Sequence, residues 1–440
     1  MRTLLRRFEM AIRRQKKSVM VENFGLRDNP FSSIGIYNVD GEHTYVPEMY
    51  GRQLNEFYEK FFLRSLENER HRQVIGAVWS SHTGSKWGKG FGKSMLMAEE
   101  SKRLNQDFGA AMLRRMEVEE EDVAQHPILS GYCTFDQSKG ITSFPAALLD
   151  AVGFIIASPY GETTVHRELR ARILADLDYQ EGYAGQAIEE AIQAELRKYS
   201  GLNIQLGHHT LSRFIFDLAR EDTAAIVGFI RHEIGPRIKA TQGFNFIHVF
   251  NAFAKLAGVV YITYFIDQIE NFSRFTRQQE RDIKIIREAM CQTSPTADMA
   301  SFIFQMHIHA QQAIENWWQI EDLPSLDITV PTNSGRIITI TGLGRQEAEI
   351  LTSRYLADYR IDGFDSPQPL HPFTPEIIQA VLDATSGNPR SLLRTLGDIL
   401  DKARDDERDI LDLTYVEPLL DQDYDAQANV LEDEFDNPVR

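Results

Sequence analysis

The most informative stretch of the chain is Trp87-Gly88-Lys89-Gly90-Phe91-Gly92-Lys93-Ser94, in which three glycines fall within five residues, ahead of a lysine and a serine. An apolar run, Val74 to Trp79, precedes it, and good helix formers follow from Ser94 to Ala98. A strand, a glycine-rich loop and a helix in this order form the context that a phosphate-binding loop requires. The stretch therefore predicts an α/β fold in which helices flank a parallel sheet around a P-loop.

Each residue type in this loop has a chemical reason. Glycines allow several backbone N–H groups to converge on phosphate oxygens. Lys93 would reach the β and γ phosphates and Ser94 would ligate Mg²⁺, at the positive end of the following helix. The pattern GxxxxGK[ST] has glycine where this chain has Trp87, and Gly88 or Gly84 can supply that flexibility. The predicted ligands are ATP and Mg²⁺, and the predicted nucleotide contacts in this stretch are Gly88, Lys89, Gly90, Phe91, Gly92, Lys93, Ser94 and Met95.

A P-loop also needs a carboxylate at the end of a neighbouring buried strand to help hold Mg²⁺. The apolar, β-branched run from Val259 to Ile266 is typical of a parallel strand buried on both faces, and Asp267 follows it directly. Asp267 is therefore the predicted second metal ligand beside Ser94. The next residue is Gln268, at a position where P-loop ATPases of this kind usually have a glutamate. The amide of Gln268 cannot accept a proton. Glu270 or Asp136 could replace that base, and slow or absent hydrolysis stays open.

Length and composition describe an ordinary globular protein of roughly two or three domains. The chain has 440 residues, of which 42% are hydrophobic and 25% charged, and its net charge is −17. The chain has two cysteines, Cys133 and Cys291, which lie far apart and form neither a CxxC pair nor a plausible disulfide framework, and this favours a reducing cytoplasm. The longest apolar stretch, Ala257 to Ile266, is too short to span a bilayer, so no integral membrane segment is expected.

The two ends of the chain carry opposite charge. Residues 1–20 form a predicted basic helix, with seven lysines and arginines in the first 17 residues beside an apolar stripe. That helix could pack on its own core, track phosphates or lie on a membrane surface. Residues 419–440 are acidic and predict a flexible solvated tail, with partner binding as the lesser alternative.

The spacing of the motifs predicts the domain organisation. Between Ser94 and Asp267 lie 172 residues, more than a P-loop core needs, so a large helical insertion is expected at about 142–250. Further strands are predicted at Leu129 to Phe135, Ser301 to Met306 and Ile337 to Ile340. The whole core then covers 21–340, and a small helical lid covers 341–418.

The motif order resembles a branch of the AAA+ ATPases that includes replication initiators, ExeA-type secretion ATPases and transposition regulators. The resemblance covers roughly 24–140 and 257–405. It is carried by five motifs, in this order: Phe24-Gly25-Leu26 with Asn29-Pro30-Phe31, Tyr50-Gly51-Arg52-Gln53, the P-loop, Asp267, and Gly387-Asn388-Pro389-Arg390.

The resemblance implies roles for residues outside the P-loop. Pro30, Phe31 and Arg52 would lie near the adenine, and Arg390 of the lid motif would contact the γ-phosphate. Gln305 would face the same phosphate from the strand predicted at 301–306. Arg336, with Arg345 in reserve, would act as an arginine finger on a neighbouring subunit's ATP. Without the resemblance, Gly387-Asn388-Pro389 is simply a turn that starts a helix.

Two classes of function follow from these expectations. The first is an ATP-driven AAA+ motor or switch that forms homo-oligomers and acts on a protein partner through the insertion. Transposition, replication and phage defence are the settings in which such a protein would be associated with DNA. The second is a nucleotide-loaded switch or scaffold with negligible turnover, which Gln268 favours. A nucleotide kinase on the same loop is disfavoured by the lid motif and the insertion.

Overall fold

The computed structural model describes residues 19–31, 44–63, 66, 75–80, 90–134, 144–199, 202, 204, 206, 208–234, 240–268, 293–305 and 337–420. The chain divides into two compact units. The first unit comprises 1–51, 84–92 and 341–440, and the second comprises 52–83 and 93–340. The residues around the glycine loop are therefore shared, with residues 84–92 in the first unit and Lys93 onward in the second.

The second unit contains a parallel sheet. Its strands, with a two-stranded hairpin formed by β3 and β4, are β1 (Ile75–Ser80), β2 (Ile128–Thr134), β3 (Pro159–Tyr160), β4 (Thr163–Thr164), β5 (Tyr261–Asp267), β6 (Ala300–Gln305) and β7 (Ile337–Ile340). The five strands of the main sheet lie in the order β2-β5-β6-β1-β7, and every neighbouring pair is parallel. The predicted α/β fold with a parallel sheet is confirmed.

Strand β5 lies inside the sheet and is covered on both faces, which explains its continuous apolar sequence. Successive side chains of a strand point to opposite faces. Phe265 stacks on Phe57, with ring centroids 5.4 Å apart. On the other face, Tyr264 donates a hydrogen bond to Asn251 Oδ1 at 2.6 Å. All seven residues of β5 are buried.

Helices make up most of the remaining described residues of the second unit. They are α1 (Gly51–Tyr58, whose first residue is assigned to the first unit), α2 (Lys93–Gln106), α3 (Ala110–Arg115), α4 (Glu120–Gln125), α5 (Phe144–Ala157), α6 (Val165–Asp176), α7 (Ala184–Arg197), α8 (His209–Leu218), α9 (Thr223–Gly228), α10 (Ala240–Leu256) and α11 (Pro295–Met299). Helices α5 to α10 lie between β2 and β5 in the chain. Their apolar faces share one hydrophobic core with the sheet, through residues such as Ile155, Phe214, Phe250 and Ile262. The insertion is therefore packed on the sheet itself.

Helix α2, which follows the glycine loop, is held to strand β2 by buried polar groups. Asn105 Nδ2 donates to the Ser130 carbonyl at 2.8 Å, and the Ser130 N–H donates to Asn105 Oδ1 at 2.8 Å. The Ser101 and Ser130 hydroxyls lie 2.8 Å apart. Satisfied buried polar groups of this kind fix one arrangement of the elements that carry them. Helix α2, whose first turn carries Lys93 and Ser94, is therefore anchored to the sheet.

The first unit is helical. Its α-helices are α12 (Arg345–Tyr359), α13 (Pro375–Ala384), α14 (Pro389–Asp405) and α15 (Leu413–Leu420), with a π-helical turn at Val19–Asn23 and a 3₁₀ turn at Pro47–Tyr50. The segment near residue 26 packs among these helices, because Leu26 forms a β-bridge with Arg360 and Asn29 Nδ2 donates to the Gly397 carbonyl at 2.9 Å. Residues 19–51 thus cluster with the helices of the predicted lid.

Both charged ends of the chain lie outside the described residues, at 1–18 and 421–440. The basic helix and nearly all of the acidic tail therefore remain predictions. Within the described part of the chain, no helix has the length and apolar character needed to cross a bilayer.

Candidate nucleotide-binding site

The carboxyl ends of four parallel strands meet at one edge of the sheet in the second unit. Thr134 of β2 is in register with Asp267 of β5, Ile266 is in register with Phe304 of β6, and Val78 of β1 is in register with Gln305. Ligands of open α/β sheets bind outside this edge. Asp267 and Gln305, each the last residue of its strand, therefore lie at the edge where a ligand is expected.

The first turn of α2 brings two P-loop residues to the same edge. Lys93 begins the helix and is 3% exposed, while Ser94 is half-buried. The Ser94 hydroxyl lies 3.3 Å from Gln305 Oε1 and donates to it. Gln305, predicted to face the γ-phosphate, and Ser94, predicted to bind the metal, are thus in direct contact although they lie 211 positions apart in the chain.

Asp267 is a buried carboxylate with a defined hydrogen-bond environment. Its side chain is 2% exposed. Tyr132 Oη donates to Oδ2 at 2.7 Å, and the Gln268 N–H donates to Oδ1 at 2.7 Å. Sequence reasoning missed Tyr132. The available signal was a tyrosine near the end of an otherwise apolar strand, because a buried tyrosine usually needs a partner for its hydroxyl.

Gln268 follows the strand in a left-handed backbone conformation, with φ +59°. Such a conformation is uncommon for a residue with a side chain, and it is found often at functional sites. Gln268 is half-buried, at the position where a glutamate was expected. The alternative bases Glu270 and Asp136 and the predicted finger Arg336 lie outside the described residues, as do Gly88 and Lys89.

Two residues of the glycine loop, Gly90 and Gly92, lie in the first unit and tolerate no side chain. Gly90 has φ +88° and Gly92 has φ +75°. A Cβ on Gly90 would lie 2.7 Å from Asn388 Oδ1, and one on Gly92 would lie 2.6 Å from Tyr50 Oη. Tyr50 Oη also donates to the Gly92 carbonyl at 2.8 Å. Both positions therefore require glycine on two counts, the backbone angle and the space.

The late Gly-Asn-Pro-Arg motif lies beside this loop within the first unit. Asn388 caps α14, since its Oδ1 accepts from the Ser391 N–H at 3.1 Å. Pro389 has no N–H, and the N–H of the next residue, Arg390, donates to the Gly90 carbonyl at 3.2 Å. The motif thus serves both as a helix start and as a backbone contact to the loop. The predicted contact of the Arg390 side chain with phosphate stays a prediction.

The remaining predicted residues have varied surroundings. Phe31 is buried and stacks on Tyr355 in the first unit, with ring centroids 5.9 Å apart, and Pro30 beside it is also buried. Arg52 is exposed at the start of α1, and Met95 is half-buried in α2. Their roles around the adenine also remain predictions.

The Ser94 hydroxyl and the Asp267 carboxylate suit a magnesium ion that is bound jointly by the protein and by a phosphate. In the described residues, no group of three or more His, Cys, Asp and Glu side chains could hold a metal alone. Mg²⁺ is commonly bound through one or two protein oxygens together with substrate phosphates and water. The Ser94 hydroxyl and the Asp267 carboxylate are oxygen donors of that kind.

Comparison with known proteins adds little to this geometry. No protein-family model and no curated protein matches the chain. One similar solved structure is that of the ORC2 protein of Aeropyrum pernix, determined as ADPNP–ADP complexes. It is 11% identical, with a TM-score of 0.46, and the alignment covers 87% of this chain and 71% of that chain.

Proposed function

We propose that the chain is a P-loop ATPase of the AAA+ type, which binds ATP and Mg²⁺ through Lys93, Ser94 and Asp267. The main support is the contact of Ser94 Oγ with Gln305 Oε1 at 3.3 Å, at the sheet edge where the buried Asp267 also ends its strand. A lysine and a hydroxyl in the first turn after the loop, with a carboxylate that ends a strand at the same edge of the sheet, are the groups that phosphate and magnesium need.

Each residue has a separate task in this proposal. The left-handed Gly90 and Gly92 shape the loop so that backbone N–H groups bind phosphate oxygens. Lys93 supplies a positive charge to the β and γ phosphates. Ser94 and Asp267 hold Mg²⁺, which neutralises charge on the phosphates. Gln305 orients the Ser94 hydroxyl and offers its amide to the γ-phosphate.

The AAA+ assignment implies assembly. An arginine finger such as Arg336 acts only on a neighbouring subunit's nucleotide, so homo-oligomers are expected with ATP. The insertion formed by α5 to α10 is the segment proposed to take a protein partner. DNA association belongs to the same proposal and is supported only by the basic residues 1–17.

The test is ATP binding by the full chain and by Lys93→Ala, followed with a fluorescent ATP analogue. Removing the lysine is expected to weaken binding at least about 100-fold, as befits a buried charge-assisted contact worth roughly 3 kcal/mol. Lys102→Ala is the matched control. Lys102 lies on the same helix, is 29% exposed and pairs with Glu99 at 2.8 Å.

Thermal melting without nucleotide separates a binding defect from a folding defect. Without nucleotide, Lys93→Ala is expected to have a melting temperature close to that of wild type. Adding ATP should raise the melting temperature of wild type but not that of Lys93→Ala. Equal ATP affinity in wild type, Lys93→Ala and Lys102→Ala would refute the P-loop assignment.

A second candidate function is a nucleotide-loaded switch that hardly turns over. It is favoured by Gln268, whose side-chain amide cannot take a proton from water. The backbone N–H of Gln268 donates to Asp267 Oδ1 at 2.7 Å. ATP turnover measured over a range of protein concentrations, beside mass photometry with and without ATP, separates the two. A motor gains activity as it assembles, whereas a switch binds ATP and stays near zero throughout.

A further inference from the structure

Tyr132 links an edge strand of the sheet to the proposed metal carboxylate. It lies on β2, two residues before Thr134, which is directly opposite Asp267 in register. Side chains two apart share a face of the sheet, and diagonal neighbours on adjacent strands can touch. Tyr132 Oη accordingly reaches Asp267 Oδ2 at 2.7 Å, although 135 positions separate the two residues.

The tyrosine ring is itself held in place. Tyr132 is 3% exposed. Its ring packs edge-on against Phe154 of helix α5, with centroids 6.3 Å apart, and its hydroxyl accepts from Thr134 Oγ1 at 3.4 Å. These contacts hold the Tyr132 hydroxyl beside Asp267, and one of them comes from α5, the first helix of the insertion.

The carboxylate is held from both sides. Oδ2 accepts from Tyr132 and Oδ1 accepts from the Gln268 N–H. An ionised carboxylate has about four lone-pair sites, so it can accept hydrogen bonds of this kind and also bind a metal. Partners that orient a metal-binding carboxylate in this way normally affect metal affinity strongly.

We infer that Tyr132 is a positioning residue for Asp267, fixing the carboxylate in the orientation that binds Mg²⁺ with the nucleotide. This rests on the proposed function. Without the phenol, a carboxylate that is 2% exposed loses a donor and can turn away from that orientation. The loss is expected in the response to Mg²⁺, because the Tyr132 hydroxyl donates directly to the proposed metal carboxylate.

The experiment is a Mg²⁺ titration of ATP-analogue binding by the full chain, with the dissociation constant also measured in EDTA. Tyr132→Phe removes only the hydroxyl. Tyr264→Phe is the matched control, since it also removes a buried hydroxyl from the sheet, one that donates to Asn251 Oδ1 at 2.6 Å. Asp267→Asn defines the response expected when the metal carboxylate is lost.

Tyr132→Phe is expected to raise the Mg²⁺ midpoint about 10-fold, in the range seen for lost outer partners of metal ligands. Its metal-free affinity should stay within about twofold of wild type, and Tyr264→Phe should match wild type in both measurements. A general loosening of the fold would move both tyrosine variants together, and it would overturn the inference.

A wild-type Mg²⁺ response that Asp267→Asn abolishes but Tyr132→Phe leaves unchanged or strengthens would overturn the role of Tyr132 alone. A wild-type chain that shows no nucleotide binding, or no response to Mg²⁺, would overturn the proposed function and this inference with it. The two failures are therefore distinguishable in one data set.

Discussion

Acid should destabilise the second unit through two buried histidines, His166 and His248. His166 Nε2 lies 2.9 Å from the Leu218 carbonyl and Nδ1 lies 3.1 Å from Thr223 Oγ1. His248 Nδ1 lies 2.7 Å from Thr296 Oγ1. Burial lowers the pKa of each imidazole from 6.5 to about 4, since desolvation disfavours the charged form.

The direction and size of the effect follow from linkage. Both imidazoles stay neutral in the folded chain, whereas the unfolded chain takes up a proton at each as the pH falls through 6.5. The stability that the two neutral histidines contribute is therefore fully present above about pH 6.5 and is lost as the pH falls toward 4. At about pH 5, some 1.5 units below the unfolded pKa, each histidine costs about 2 kcal/mol and the pair about 4 kcal/mol.

The assay is urea unfolding followed by circular dichroism at about pH 7, 6 and 5, a range above most carboxylate titration. His166→Gln keeps an amide donor for the Leu218 carbonyl but cannot be protonated. It should be less stable than wild type at neutral pH and lose about 2 kcal/mol less on going to pH 5. His209→Gln, at an exposed position on α8, should follow the wild-type pH dependence. Equal pH dependence in all three proteins would refute the argument.

Two further predictions concern the glycine loop and turnover. Gly92→Ala forces a left-handed alanine whose Cβ would lie 2.6 Å from Tyr50 Oη, and a strain of about 1–2 kcal/mol should weaken ATP binding about 5- to 30-fold. Gly228→Ala, with open space around its Cβ, should bind ATP normally, and equal affinities for the two variants would contradict the prediction. Gln268→Glu adds a group that can accept a proton and should raise steady-state ATP turnover about 100-fold, in line with typical general-base effects. An unchanged rate at saturating ATP would show that proton transfer does not limit hydrolysis.

The sheet could be predicted because its signals are local in sequence. The run from Val259 to Ile266 is apolar throughout since both faces of β5 are covered, by Phe57 on one side and the insertion on the other. The segment Ile337–Ile340 forms the strand expected of it. A glycine loop between a strand and a helix likewise marked the start of α2 at Lys93.

The contacts of the site could not be predicted in the same way. Tyr132 meets Asp267 only because β2 and β5 pair in one particular register, and the insertion between them hides that pairing from the sequence. The fit of Asn388 against Gly90 depends on a tertiary contact of the same kind. The grouping of residues 19–51 with the C-terminal helices rests on Asn29 and Leu26, whose partners lie more than 300 positions away.

The hydrogen bonds from Asn105 to Ser130 also protect the border strand of the sheet. Among the described strands, β2 is the outermost on its side, and the outward peptide groups of such a strand are a template for another chain to extend the sheet. Asn105 occupies both the N–H and the carbonyl of Ser130, at 2.8 Å each. An incoming strand would have to displace that amide before it could pair in the middle of β2. Copies of this chain can therefore be crowded together in an assembly with less risk of joining by strand addition there, and Asn105→Ala should raise the tendency to aggregate.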